Sequence, residues 1–188
     1  NGRSGRLWGI EHFGVIPDVI TVSKAIANGL PLGVTLYKED LDSHLRPGEH
    51  YSTLGGNALS CAAAMVVLDE LLNGFIDRAR ETGEYFKRSL ESLKERHDLI
   101  GDVRGKGLFI GMEFVKDRRT KEPAKEAAAK FLQEVWRRKV LVGLGGLDGN
   151  VVRIEPPLVI KKESVDRAVE AFDEALKIIG NRNKEVFV

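Results

Sequence analysis

The feature that most constrains this fold is a short β-branched run near the amino terminus. Val19-Ile20-Thr21-Val22 ends in Ser23 and then a single cationic residue, Lys24. Such residues favour a strand that is buried on both faces. A second short strand is predicted over 34–37, after the turn signal "NGLPLG". Because two strands alone cannot cover both faces of such a run, this region predicts part of a larger α/β sheet.

The composition narrows the class of protein. The chain has 188 residues, 43% hydrophobic and 30% charged, with a formal net charge of +1, which predicts a globular protein without a basic field for nucleic acid. Its single cysteine, Cys61, excludes an internal disulfide framework and fits a reducing compartment. No apolar run approaches the roughly 20 residues that cross a bilayer, and the histidines lack the spacing of zinc ligands. We therefore expect a cytoplasmic protein without nucleic-acid, membrane or metal partners.

Periodic patterns divide the rest of the chain. Apolar residues recur at three- and four-residue intervals over 59–71 and 75–96, on either side of Asn73-Gly74, which predicts two helices. The predicted apolar stripe of the second helix consists of Ala79, Phe86, Leu90 and Leu93. From residue 98 onward, strand and helix patterns alternate. We expect three parts: an incomplete sheet domain over 1–58, linking helices over 59–97 and a complete α+β domain over 98–188.

Four local signals shape the predicted C-terminal domain. The glycine-punctuated stretch "IGDVRGKGLFIGMEFVK" predicts one bent strand. "EPAKEAAAKFLQEVWRRK" predicts a helix with Pro123 in its first turn. Asp148-Gly149-Asn150 predicts the reversal between two strands, and Ser164 is the predicted N-cap of a final helix.

Lys24 is the first candidate functional residue. An amine attacks a carbonyl only when its charged form is destabilised, and the end of a buried strand facing a cleft supplies the necessary desolvation. Open α/β sheets also keep their ligands at this edge. The alternative is a structural lysine whose stem lies along the core while its ammonium reaches water.

The stretch "YSTLGGN", residues 51–57, predicts a phosphate site. Ser52 and Thr53 offer hydroxyls, and Gly55 and Gly56 let backbone N–H groups approach a ligand closely. The helix that begins after Asn57 adds its positive dipole end. The alternative is an ordinary helix N-cap preceded by a flexible turn.

Arg153, in "VVRIEPPL", predicts an anion partner. It lies inside an apolar strand, and its planar guanidinium matches a carboxylate with two parallel hydrogen bonds. That partner is either a substrate carboxylate or an internal acid such as Glu155 or Asp148.

Other apparent motifs fail on their spacing. "GDVRGKG" is too short for a P-loop, and Gly107 stands where Ser or Thr is required. "GLGGLDG", residues 143–149, has Asp148 in place of the last glycine of a dinucleotide motif. No GxSxG elbow is present.

Four separated blocks, in order, give the chain a family resemblance. It resembles the C-terminal half of the class III pyridoxal-phosphate-dependent aminotransferases, which include 4-aminobutyrate, ornithine and acetylornithine aminotransferases. The blocks that carry the resemblance are "GRSGRLWGIEHFGVIPDVITVSKAIANGLPLG", "STLGGNALSCAAAMVVLDEL", "IGDVRGKGLFIGMEF" and "NVVRIEPPLVI".

This resemblance implies roles for the candidate residues. Lys24 would form a Schiff base with pyridoxal 5'-phosphate and act as general base while an amino group moves between a 4-aminobutyrate-like or other ω- or α-amino acid and a 2-oxo acid such as 2-oxoglutarate. Arg153 would clamp the substrate carboxylate. Thr53 would reach the cofactor phosphate of a neighbouring subunit, which implies a homodimer. The other residues of the implied phosphate loop are Ser52, Gly55 and Gly56.

The resemblance also implies a partial fold-type I large domain followed by a complete small domain. In this family, an aspartate a few residues before the position of Asn1 pairs with the pyridine nitrogen, and a phosphate cradle and a stacking aromatic lie upstream. Asn1 opens a loop-like stretch, so we expect a piece of a longer enzyme that is inactive by itself. Two alternatives stay open: a racemase or aminomutase of the same fold, or a non-catalytic assembly module that uses the helices over 59–97 as a dimer surface.

Overall fold

The structure is a computed structural model that describes the backbone of residues 1–185 and the side chains of residues 1–180. Short helical turns lie at Gly9–Phe13, Lys24–Ala27 and Glu39–His44. The strands are β1 (Val19–Val22), β2 (Val34–Tyr37), β3 (Ile100–Lys106), β4 (Phe109–Phe114), β5 (Gly143–Gly145) and β6 (Val151–Ile154). The helices are α1 (Ala58–Glu70), α2 (Ile76–Arg96), α3 (Lys125–Arg137) and α4 (Lys162–Glu185), and a wide turn over Leu71–Phe75 follows α1.

The chain divides into two compact units. The N-terminal unit holds residues 1–2 and 6–76, and the C-terminal unit holds Arg3–Gly5 and the chain from Asp77 onward. The division falls within the predicted linking region, so α1 belongs to the first unit and α2 to the second.

In the N-terminal unit, β1 and β2 form an antiparallel pair in which Val19 lies opposite Tyr37 and Val22 opposite Val34. Both strands were predicted. The prediction that β1 is buried on both faces was wrong for this chain. In the part that the structure describes, only β2 pairs with β1, and Val19 is half exposed. The small core of this unit joins Val22 to the Lys24–Ala27 turn and to α1.

Helix α1 was predicted correctly, but it is apolar on nearly every side. Ser60 and Ala64 are buried, whereas Leu59, Met65 and Val66 are exposed. Among the described residues, the helical stretch Ala58–Arg96 is apolar and long enough to meet a length-and-composition criterion for a membrane span, which is weak support for one. The stretch is not one continuous helix, because Gly74 takes a φ of 136°.

The C-terminal unit contains an antiparallel sheet with strand order β3-β4-β6-β5. The prediction of one bent strand over 100–116 was wrong: the segment folds back on itself at Gly107, whose φ of 52° suits glycine, and forms the β3–β4 hairpin. The reversal at Asp148-Gly149-Asn150 between β5 and β6 was predicted correctly. The side chain of Asn150 holds this turn by donating to the Phe114 carbonyl at 2.8 Å.

Helices α2, α3 and α4 share one core with β3, β4 and β6. Phe131 lies 5.1 Å from Phe114 and 5.4 Å from Phe172 between ring centroids, and Phe86 stacks on Phe172. The predicted apolar stripe of α2 is buried as expected. Its members are Ala79, Phe86, Leu90 and Leu93.

Two predicted helix starts were wrong. Pro123 lies before α3, where it bridges to Val115, instead of in the first turn. Helix α4 begins at Lys162, and the Ser164 hydroxyl accepts a hydrogen bond from Arg167 instead of capping the helix.

Asp173 joins α4 to the end of α2. Its carboxylate lies 2.6 Å from Nε2 of His97, 3.0 Å from Arg96 and 2.8 Å from Nζ of Lys177. Burial opposes the ionisation of Asp173, but the hydrogen bonds from His97 and Lys177 and the charge of Arg96 outweigh it and lower its pKa to about 2.

The segment Arg3–Gly5 packs on the β3–β4 turn. The Leu108 N–H donates to the Arg3 carbonyl at 2.8 Å. Gly83, in the middle of α2, approaches Gly107 so closely that a Cβ at residue 83 would lie 2.1 Å from the Gly107 carbonyl carbon. Two glycines therefore allow backbone to pack directly on backbone at this point.

Candidate functional site

One residue, Ser23, separates the end of β1 from Lys24, which begins a short helical turn. Its φ is 59°, a left-handed conformation that a lysine rarely adopts. Ile26 and Ala27 are buried in the same turn and pack against α1, so the turn is anchored while Lys24 itself is exposed. A non-glycine residue held in this conformation costs about 1–3 kcal/mol, and such strain is concentrated at functional sites.

An open cavity of about 640 Å³ lies beside Lys24. It is lined by Lys24, Ala25 and residues 28–32, which include Leu30 and Leu32. The expectation of a desolvated amine is not met in this chain, because a single segment lines the cavity and leaves Lys24 open to solvent.

The predicted phosphate loop is an exposed turn that leads into α1. The Gly55 N–H donates to the Ser52 carbonyl at 3.2 Å, and Gly56 has a φ of 66°. The Asn57 side chain accepts from the Ser60 N–H at 3.1 Å, so the N-cap is present. Thr53 is exposed in this turn.

The fold brings two of the predicted groups into one unit. Helix α1 packs against the Lys24–Ala27 turn, and the Ser52–Gly56 turn immediately precedes α1. Arg153 belongs to the C-terminal unit.

Arg153 lies on β6 with its side chain 54% exposed. Its strand neighbours Val152 and Ile154 are buried on the opposite face, as alternation along a strand requires. Of the two acids expected as internal partners, Glu155 is the one that approaches: its Oε1 lies 3.6 Å from Arg153, and its Oε2 lies 3.2 Å from Arg3. At 3.6 Å the Arg153 contact is an ion pair without a hydrogen bond, so most of the five N–H donors of the guanidinium stay available for an anion.

The side chain of Arg153 lies close to Gly143 and Gly145 of β5. The sequence did not predict this role for the two glycines, since the stretch "GLGGLDG" was tested only against the spacing of a dinucleotide motif. Two glycines at alternate positions of a strand, beside a strand that carries an arginine, were the available signal. Across the described residues, no three His, Cys, Asp or Glu side chains are grouped to hold a metal ion.

Comparison with known proteins gives the class of the chain. Its fold matches, with a TM-score of 0.84, 31% identity and 95% coverage of the chain, a solved amine transaminase from an uncultivated Pseudomonas species in its PLP-bound form, of which it covers 42%. The fold therefore matches part of a pyridoxal-phosphate-dependent transaminase structure. A family model described as aminotransferase class-III matches residues 1–176. The chain belongs to the class III aminotransferase family, whose members depend on pyridoxal phosphate.

The similar relatives have more than one activity in their names. The chain is 42% identical to a leucine/methionine racemase of Thermococcus litoralis over 93% of its own length and 39% of the relative's. It is 38% identical to an acetylornithine aminotransferase of Caldanaerobacter subterraneus, over 95% of its own length and 42% of the relative's. The chain thus spans about 40% of the length of these relatives.

Proposed function

We propose that the full-length protein that carries this chain is a pyridoxal-phosphate-dependent aminotransferase. It would move an amino group between an amino acid, 4-aminobutyrate or another ω- or α-amino acid, and a 2-oxo acid such as 2-oxoglutarate. The observation that carries the proposal is Lys24, an exposed amine held in a strained conformation at the end of β1, in a chain of the class III family.

The residues of the N-terminal unit fit the cofactor. The cavity beside Lys24 has about the volume of a small-molecule site, and its open side leaves the amine accessible. Gly55 and Gly56 carry no side chain to block an approach to their backbone, and the first N–H groups of α1 follow directly. When bound, the cofactor supplies an electron sink for negative charge on the substrate carbon.

We assign the chemistry of the chain to Lys24. Its Nζ would hold the cofactor aldehyde, and the same amine would act as the general base that takes the proton from the amine-bearing carbon of the substrate and delivers it elsewhere, as transfer of an amino group requires. Ser52, Thr53, Gly55 and Gly56 hold the phosphate. We further propose that the protein is a cytoplasmic homodimer in which Thr53 serves the neighbouring site.

The two units support a division into a large and a small domain. We propose that residues 1–58 belong to the large cofactor-binding domain, 59–97 to linking helices and 98–188 to the small domain. The paired strands β1 and β2, each exposed on part of its surface, support the first assignment, and the core that α3 and α4 share with β3, β4 and β6 supports the last. Helix α2, which falls in the proposed linking region, packs into this same core.

Arg153 is the proposed carboxylate ligand. Its guanidinium is half exposed on the face of the sheet opposite the core, and its ion pair with Glu155 leaves donors available. A planar guanidinium that donates two parallel hydrogen bonds selects a carboxylate over a neutral amide.

The test uses the full-length protein with pyridoxal phosphate. Borohydride reduction followed by peptide mass analysis should place the cofactor on Lys24, and incubation with 4-aminobutyrate or another amino donor and 2-oxoglutarate should form glutamate. Lys24→Arg, which keeps the charge, is the matched control and should lose both results. Cofactor attached to another lysine, or full turnover by Lys24→Arg, would refute the assignment. The isolated 188-residue chain is expected to give no steady turnover.

A racemase is the second candidate, because a relative at 42% identity is named leucine/methionine racemase. Racemase and transaminase share the lysine chemistry and differ in where the proton returns. Full-length protein that converts an L-amino acid to its D-form without any 2-oxo acid would establish the racemase. An aminomutase would instead shift the position of the amino group. Absence of cofactor absorbance, with a dimeric mass, would favour an assembly module.

A further inference from the structure

Arg153 is flanked by glycine on both neighbouring strands. In the sheet register it lies opposite Gly111 of β4 and opposite Gly143 of β5. Gly145, two residues further along β5, shares the face of Gly143. Side chains at directly opposed positions normally occupy this space, so the glycines leave it to the arginine.

The side chain of Arg153 uses the space over β5. A Cβ built on Gly145 would lie 2.9 Å from Cδ and 3.1 Å from Nε of Arg153, and a Cβ built on Gly143 would lie 3.2 Å from Nη2. The aliphatic part therefore lies over Gly145, and the guanidinium lies over Gly143. A Cβ on Gly111 would instead meet Val151 at 3.2 Å, so the arginine does not lie over β4.

Backbone conformation does not explain the two glycines of β5. Neither has a φ in the left-handed region, so an L-residue could adopt the backbone at both positions. A Cβ at either position would instead meet the side chain of Arg153, which would have to shift.

We propose that Gly143 and Gly145 are positioning residues for the substrate carboxylate. They let Arg153 lie flat along β5, which fixes the height and direction of the guanidinium. Glu155, itself held by Arg3 at 3.2 Å, pairs with the guanidinium of Arg153 at 3.6 Å and balances part of its charge. A Cβ at residue 145 lifts the middle of the side chain from the sheet and displaces both donors of the fork. This inference rests on the proposed role of Arg153 as carboxylate ligand.

The experiment measures steady-state kinetics of the full-length holoenzyme with 2-oxoglutarate as the varied substrate. Gly145→Ala should raise KM about 10-fold and change kcat by less than about 2-fold, because carboxylate binding is disturbed and the lysine chemistry is not. Gly143→Ala should raise KM by less, because its Cβ meets the mobile end of the arginine. Gly111→Ala, the matched control on the other side of Arg153, should leave KM unchanged. Cofactor absorbance shows that each variant is folded.

A double-mutant cycle separates the possible failures. If the glycine acts through the arginine, Arg153→Ala/Gly145→Ala should have the same KM as Arg153→Ala. If Arg153→Ala raises KM but neither glycine variant does, or if the effects of Gly145→Ala and Arg153→Ala add, the positioning role is overturned while the function of Arg153 stands. If Arg153→Ala leaves KM unchanged, the proposed carboxylate ligand is wrong and the positioning role falls with it.

Discussion

Alanine at Gly83 should destabilise the C-terminal unit, although alanine is the better helix former. The new Cβ would lie 2.1 Å from the carbonyl carbon and 2.2 Å from the oxygen of Gly107, where ordinary contact begins at 3.4 Å. The β3–β4 turn would have to retreat by about 1.3 Å from α2. The turn is also tied to the segment Arg3–Gly5, because the Leu108 N–H donates to the Arg3 carbonyl at 2.8 Å, so its retreat would disturb that bond.

The magnitude follows from two opposing terms. Overpacking against backbone costs about 1–3 kcal/mol or more, whereas replacing glycine by alanine inside a helix returns about 1 kcal/mol. A contact this short belongs at the upper end, so we expect Gly83→Ala to lower the free energy of unfolding by about 2 kcal/mol. Gly180→Ala in α4 is the matched control: its Cβ meets nothing within 4 Å, so only the helix term remains. The two variants should differ by about 3 kcal/mol, with opposite signs.

The assay is urea unfolding of the full-length protein, combined with amide hydrogen exchange in peptides from α2 and from the β3–β4 turn. Gly83→Ala should lower the midpoint and speed exchange in these peptides, and Gly180→Ala should raise the midpoint. If Gly83→Ala stabilised the protein as much as Gly180→Ala does, backbone packing between α2 and the turn would not be what requires glycine at residue 83.

Three further predictions concern other parts of the chain. Lys24→Gly should be about 1 kcal/mol more stable than Lys24→Ala in thermal unfolding of the cofactor-free protein, because glycine relieves the positive φ; equal midpoints would argue against strain. Because folding lowers the pKa of Asp173, its carboxylate stabilises the folded protein fully above the pKa of about 4 of an unfolded aspartate, and this stabilisation is lost as the pH falls toward 2. Asp173→Asn should therefore lower the free energy of unfolding by about 1–2 kcal/mol at pH 7 and make it depend less on pH between 4 and 2. An acid-unfolding transition like that of the unchanged protein would contradict this. Phe172→Ala, in the aromatic core, should lower the free energy of unfolding in urea by about 3–5 kcal/mol, whereas Phe109→Ala, at an exposed site, should lower it far less. Similar losses of stability in the two variants would show that burial does not set the cost of removing the ring.

Local patterns predicted most of the elements. The strand over 34–37 and the buried stripe of α2 were recoverable because side-chain alternation and helical spacing are properties of consecutive residues. The β3–β4 hairpin was missed because Gly105, Gly107 and Gly111 all occur in one short segment. No local signal distinguishes Gly107, at which the chain turns, from the two glycines that lie within strands. The cap at Ser164 was wrong because the chain takes helical geometry two residues earlier.

The residue types of the candidate site could be predicted from the sequence, but the exposure and the contacts of those residues could not. Lys24, the Ser52–Gly56 turn and Arg153 were identified from short motifs and from their order along the chain. The exposure of Lys24 depends on which strands pair with β1, and the contact of Arg153 with Glu155 depends on side-chain orientation. Neither is encoded in the spacing of neighbouring residues.

The sequence by itself determined most of the strands and helices, but not the β3–β4 hairpin, and it determined the family and the residue types able to do the chemistry. These depend on motifs and on neighbours within a few positions along the chain. Tertiary structure alone decided that Gly83 faces Gly107 and that Arg153 lies on Gly143 and Gly145. The first contact joins a helix to a distant hairpin turn, and the second joins two neighbouring strands across a turn. The role of each of these glycines, in a turn, in close backbone packing or in making room for a neighbouring side chain, depends on which residues the tertiary structure places next to it.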